Sequence, residues 1–326
     1  MRQLAHVLAL ALAFLAHAAR AAQWESLPPL PEPNGGFMAG ALADGIVVIG
    51  GTKWTDGRKV WLDKIWQLNP RTMTWTHRAW THRGNLPQPL AYAVCGPWKN
   101  GLVLAGGFDG TKARTEIWHL TATFQLKPLG HLHTAVSLAQ GGVCGDDLLV
   151  VNGTPDPAKL DALTPITQHV HLPTGATKLI PSPGSKAFCT AASASTGNRL
   201  FLHGGARHDP AHAVANLSQA WHFDAPGSQW RALAPYPIAV RAAASAMLDS
   251  RHVYIAGGYA ETFTASAHLF DTQANTYSPS LPLPLPNCAG LVVYEGYLYS
   301  LGGEPAMKVR TDKCWRIRTS TLLPRP

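Results

Sequence analysis

Charge is scarce in this chain. Asp, Glu, Lys and Arg together make up 14% of its 326 residues, too few for the salt-bridged faces of long exposed helices. Beyond residue 22 no apolar pattern holds the 3.6-residue period of a helix for long. Nor does any apolar run there reach the length that spans a bilayer as a helix, so no membrane span is expected. Basic clusters interleaved with aromatic residues are missing, and with them the footprint of a nucleic-acid binder. Cysteine is sparse as well. Cys95, Cys144, Cys189, Cys288 and Cys314 contain no Cys-x-x-Cys pair, and their spacing fits no zinc site, so neither metal nor cofactor is expected. An odd number of thiols leaves at least one outside any disulfide pairing; their expected role is as small buried residues on inner strands.

What the chain holds in quantity is glycine and proline, 30 and 26 residues respectively, the composition of many short strands joined by tight turns. The first residues, 1–22, read as a secretory signal. Arg2 supplies a positive start and Leu4 to Ala16 an apolar stretch too short to stay in a bilayer. Ala16-His17-Ala18 and Ala19-Arg20-Ala21 both fit a small-x-small cleavage site. The expected product is residues 23–326, one domain, periplasmic or secreted. The formal net charge of +8 includes Arg2 and Arg20 of the signal. The mild positive field that remains favours an anionic small partner.

The strongest pattern is internal repetition. An apolar run ending in Gly-Gly recurs as Val47-Val48-Ile49-Gly50-Gly51, Val103-Leu104-Ala105-Gly106-Gly107, Phe201-Leu202-His203-Gly204-Gly205, Tyr254-Ile255-Ala256-Gly257-Gly258 and Tyr299-Ser300-Leu301-Gly302-Gly303. Val150-Val151-Asn152-Gly153 is a degenerate copy. Before each run comes a strand of small residues and a turn, as in Ala289-Gly290-Leu291-Val292-Val293 followed by Glu295-Gly296. After it comes a loop, then an aromatic-bearing strand such as Glu116-Ile117-Trp118-His119-Leu120, then a strand running into proline such as Trp230-Arg231-Ala232-Leu233-Ala234-Pro235. Each unit therefore reads as a four-stranded blade, a to d, and the period of about 50 residues resembles the kelch family. The resemblance implies an all-β, six-bladed kelch-type β-propeller. The sixth unit has no strand d of its own. Trp24-Glu25-Ser26-Leu27-Pro28 matches the missing piece, so the N-terminal strand is expected to close the ring. The third unit, about 134–182, is the most degenerate.

In such a meander the d–a and b–c connections share one face around the axis, the default site for a ligand. The d–a connections place Asn34, Tyr92, Lys186, Arg241 and Asn287 there as candidate substrate-binding residues. The b–c loops, residues such as Lys53, Trp54 and Asp56 among them, supply the rest. One of these loops, Gly302-Gly303-Glu304-Pro305-Ala306-Met307-Lys308-Val309-Arg310-Thr311-Asp312, resembles the signature of the bacterial N-acetylneuraminate mutarotases, or epimerases. These are periplasmic six-bladed kelch proteins. Trp24 to Pro33, Lys59 to Trp66 and Leu86 to Tyr92 are similar to a cyclically permuted branch of that family. The resemblance implies that Glu304 and Arg310 are the catalytic pair and that the substrate is a small anionic sugar, N-acetylneuraminate. The chemistry suits those residue types. Exchanging anomers needs proton transfer at the anomeric hydroxyl and ring oxygen, which a carboxylate can carry, and a carboxylate substrate suits a guanidinium fork.

Two other propeller enzymes are excluded by what is missing. A sialidase needs Ser-x-Asp-x-Gly-x-x-Trp boxes, and a galactose-oxidase-like enzyme needs copper ligands; neither constellation occurs. The alternative that stays open is a non-catalytic kelch propeller that binds a glycan or a protein.

Overall fold

The computed structural model of the protein describes residues 23–73 and 79–324. The secretory signal expected over residues 1–22 lies outside the described residues. Six four-stranded antiparallel sheets form a six-bladed β-propeller. Blade 1 consists of Met38–Leu42, Gly45–Thr55, Arg58–Leu68 and Trp80–Asn85, and blade 2 of Val94–Trp98, Gly101–Ala105, Glu116–Leu120 and Leu126–His131. Blade 3 is Gln140–Cys144, Asp147–Val151, Ile166–His171 and Ala176–Pro181, and blade 4 is Ala192–Thr196, Arg199–His203, Ala220–Asp224 and Gln229–Ala232. Blade 5 comprises Ala244–Met247, His252–Ala256, Ala267–Asp271 and Thr276–Ser280. Blade 6 takes its first three strands, Cys288–Tyr294, Tyr297–Glu304 and Cys314–Arg318, from the C-terminal end. Its fourth is Glu25–Leu27, paired to Cys314–Arg318 with Leu27 opposite Cys314. The expected closure by the N-terminal strand is therefore present.

The residue types follow from each strand's place. Strand b is covered on both faces by neighbouring blades, and Val47, Val48 and Ile49 are fully buried. That is why these runs are continuously apolar and do not alternate. Strand a faces the axis, where six backbones converge and most side chains are small; Ala39, Gly40, Gly96, Gly141, Ser193 and Ser245 line this tunnel. Every blade-to-blade interface carries its own apolar cluster. The one between blades 6 and 1 joins Leu27, Leu30 and Leu301 to Ile46, Val48 and Trp80, so closure buries as real a core as any other interface.

Blade 3 is complete despite its degenerate sequence. Asn152 stands where other blades have their first glycine and takes the same left-handed conformation, at φ 56°; asparagine tolerates this region better than most residues. Two b–c connections differ from the loops expected. In blade 1, strands b and c run past Gly50-Gly51 as a hairpin, pairing Lys53 with Val60 and Trp54 with Lys59 around an Asp56-Gly57 turn. In blade 4, Ala206–Asp209 and Ala213–Asn216 form a separate two-stranded sheet. The five cysteines are all unpaired thiols. Cys95, Cys144 and Cys288 lie on inner strands as expected; Cys189 lies on the connection into blade 4, and Cys314 on the third strand of blade 6, opposite Leu27 of the closing strand.

Candidate functional site

Glu304 ends strand b of blade 6, and the chain then turns back on itself. The amide of Val309 donates to the Ala306 carbonyl at 2.9 Å, and that of Thr311 to the Gly303 carbonyl at 3.0 Å. Lys308 takes a left-handed conformation at the bend, φ 60°. This short excursion brings residues 304 and 310 side by side. Arg310 Nη1 lies 2.7 Å from Glu304 Oε1, with only 4% of the arginine side chain exposed. The contact is an ion pair without hydrogen-bond alignment, and Nη1 has no acceptor along its N–H bonds. The Lys308 amide donates to Glu304 Oε1 at 3.2 Å. Arg310 lies flat against Gly35, where an added Cβ would stand 2.6 Å from Arg310 Cδ.

Both groups line a cavity of about 410 Å³ at the mouth of the tunnel. Its charged wall comes from blades 5, 6 and 1. Arg241 donates from Nη1 to Asn216 Oδ1 at 2.7 Å and lies 4.2 Å from the Tyr259 ring centre. Lys59, on the blade 1 hairpin, sits between Trp61 and Tyr92, 4.9 and 4.8 Å from their ring centres. Lys59, Arg241 and Arg310 thus face one carboxylate, that of Glu304, an excess of positive charge that a low-dielectric cavity amplifies. The opposite wall is apolar: Leu138, Pro157, Leu160 and Val214, from blades 3 and 4 and the connection into blade 3. Cys288 also faces the cavity, but burial, and then the nearby Glu304 charge, push its thiol up to about 12, so it is not a nucleophile.

The cavity floor is a ring of residues in the left-handed conformation, one at the entry of successive blades: Gly36 (φ 68°), Tyr92 (59°), Leu138 (54°), Thr190 (53°) and Ala242 (53°). Backbone bonds join them in two groups, with Tyr92 N donating to Gly36 O at 2.8 Å, and Thr190 N to Leu138 O at 3.1 Å and Ala242 N to Thr190 O at 2.9 Å. Four of the five carry side chains where such φ values cost energy.

Of the candidates read from the sequence, Glu304, Arg310, Arg241 and Tyr92 come together in this cavity. Asn34, Asn287 and Lys186 do not line it. Asn34 is buried and works on the backbone: its Nδ2 donates to Gly50 O at 2.8 Å, its Oδ1 accepts from Thr52 N at 3.0 Å, and its carbonyl accepts from Gly303 N at 2.7 Å. Asn287 is likewise buried, donating to Gly302 O at 2.5 Å. These two side chains point back at the Gly-Gly turns, which leave unpaired peptide groups to satisfy. Lys186 is exposed on the connection between blades 3 and 4, before the part of it, Cys189 and Thr190, that lines the cavity. Lys59, Thr52 and Asn216 were not foreseen; the Asp-Gly turn of the hairpin was the available signal for Lys59. Among the described residues no group of three or more His, Cys, Asp or Glu is placed to hold a metal ion.

No family model matches the chain. Part of it is 29% identical to N-acetylneuraminate epimerase 1 of Escherichia coli O6:H1, over 26% of this chain and 26% of that protein. The match thus spans about a quarter of the relative's length. The chain is a six-bladed β-propeller with a distant, partial likeness to that epimerase.

Proposed function

We propose that the cavity binds an anionic sugar and exchanges its anomers, with N-acetylneuraminate as the substrate. The observation that carries this reading is the Glu304–Arg310 pair, held at 2.7 Å in a cavity with three cations and one carboxylate. The partial likeness to an N-acetylneuraminate epimerase supports the same sugar. In the reaction the anomeric hydroxyl loses its proton, the bond from the anomeric carbon to the ring oxygen breaks, and the ring oxygen gains a proton. Rotation of the open-chain ketone and the reverse steps close the ring on its other face. Glu304 takes the hydroxyl proton and returns it to the ring oxygen, so no net proton or electron is consumed. The unaligned Nη1 of Arg310 is free to take an oxygen of the substrate carboxylate, which lies beside the reacting carbon. One carboxylate suffices, since no bond to a second sugar is cut.

Proton NMR tests the proposal directly. Freshly released α-N-acetylneuraminate should convert to the β anomer faster with protein than in buffer. Glu304→Gln should lose at least about a hundredfold of that acceleration while keeping its fold and its affinity for the sugar. A wild-type rate equal to that in buffer would leave the cavity as a non-catalytic glycan site.

A further inference from the structure

The two hairpins that rise above the propeller belong to blades 1 and 4, which stand opposite each other on a ring of six. Each hands one polar side chain to an arginine of the cavity. Thr52, on the blade 1 hairpin, donates its hydroxyl proton to Gly35 O at 3.0 Å. That leaves its lone pairs facing Arg310, whose Nε and Nη2 both approach Thr52 Oγ1 at 3.3 Å. Asn216, on the blade 4 hairpin, spends both amide protons on the blade 5 loop, donating to Tyr259 O at 3.1 Å and to Ala260 O at 2.6 Å. Its Oδ1 is thereby turned toward Arg241 Nη1. In both cases the donors are committed to backbone carbonyls of another segment, so the acceptor can only serve the guanidinium. In both, the contact pins one side of the arginine while the rest of the group lines the cavity.

We propose that Thr52 and Asn216 are positioning residues, which hold the guanidinium groups of Arg310 and Arg241 from opposite sides so that their remaining N–H groups converge on one anion. This rests on the anionic-sugar reading for its substrate and on the hairpin geometry for everything else. An arginine fixed before binding loses less side-chain freedom when the ligand arrives, so the benefit is affinity. A carboxylate is gripped equally in ground and transition states, so the loss falls on KM with little change in kcat.

The test uses the mature chain with α-N-acetylneuraminate as probe. Thr52→Val keeps the shape and removes the acceptor; it is expected to raise KM at least tenfold with kcat within threefold of wild type. Thr52→Ser, which restores the hydroxyl, is expected to return KM to within threefold. Asn216→Leu should raise KM to a similar extent, and the double variant should multiply the two losses, because the arginines are held independently. A second readout needs no substrate: the Arg310 Nε–H resonance, identified by its disappearance in Arg310→Lys, should be sharp and slowly exchanging in wild type and broadened in Thr52→Val. An unchanged KM in Thr52→Val, a Thr52→Ser variant as impaired as Thr52→Val, or an unaltered Nε–H resonance would each overturn the proposal. If wild type fails to accelerate anomer exchange, the sugar reading falls, and the resonance alone decides whether Thr52 positions Arg310.

Discussion

His203 shows how far one residue's environment can outweigh its chemistry. It lies on strand b of blade 4 within an aromatic box, 5.1 Å from the Phe270 ring, 5.9 Å from Tyr277 and 6.3 Å from Tyr236. Neither ring nitrogen has a hydrogen-bond partner. Burial holds its pKa down, from 6.5 to about 3, so the neutral ring is the folded form. The unfolded chain takes up the proton near pH 6.5 and the folded chain only near pH 3. His203 therefore costs no charge burial above pH 6.5 and destabilises progressively as pH falls below it, by up to about 1.4 kcal/mol per pH unit. His203→Phe is expected to be more stable than wild type, by a margin that widens between pH 6.5 and pH 4 in urea denaturation; a constant margin would contradict this. At this scale Glu304 and Arg310 were singled out by the resemblance of their loop to a family signature, with the repeated Gly-Gly placing that loop on the face around the axis. Asn34 and Asn287 were read onto the right connections, but their side chains turn inward to peptide groups, and sequence carries no mark of that direction. Thr52 and Asn216 were hidden because their partners lie on other blades, 258 and 25 residues away.

The repeated elements were legible because burial on two faces writes a continuous apolar run, and the inner strands write a run of small residues. The hairpins were not legible because a b–c connection looks like a loop until its pairing is known, although Thr52, Trp54, Thr55, Val60 and Trp61 are β-forming residues on either side of Asp56-Gly57. The ring of left-handed residues left no trace at all. Its members are glycine, tyrosine, leucine, threonine and alanine, and only the first is a residue type that announces the conformation. Thr190 is the member least suited to it, since a β-branched side chain crowds the backbone there. Thr190→Asn is expected to stabilise the protein by about 1 kcal/mol, measured as a higher denaturation midpoint with an unchanged slope. A lower midpoint would mean that the threonine's packing in the cavity outweighs its backbone strain.

For the whole molecule, closure depends on very little chain. Strand d of blade 6 is three residues, Glu25–Leu27, yet Leu27 and Leu30 are 4% and 3% exposed in the cluster between blades 6 and 1. Trp24 adds a bond from Nε1 to Pro282 O at 2.9 Å, and Glu25 pairs with Arg316 at 2.8 Å. We propose that the signal within residues 1–22 is cleaved on export, after Ala18 or Ala21, so that this strand lies almost at the terminus of the working protein. Sequencing the mature N-terminus should find Ala19 or Ala22. Removing everything before Pro31 should cost several kcal/mol, since two buried leucines contribute about 2 kcal/mol each. It should also expose the Cys314–Arg318 edge, seen as concentration-dependent association by light scattering. A truncated protein as stable as the full one, and no more associated, would show that the ring does not need its clasp.

The tunnel beneath the site has a further effect. Cavities that share lining residues run from the mouth down the axis: Tyr92 and Thr190 border the first two, Ala93 and Ala139 the next, Cys95 and Gly141 the last. A pocket with a blind end must drive its water out past the arriving molecule. Here the walls are shared with the cavities below, so the water that a ligand displaces has room along the axis to move into.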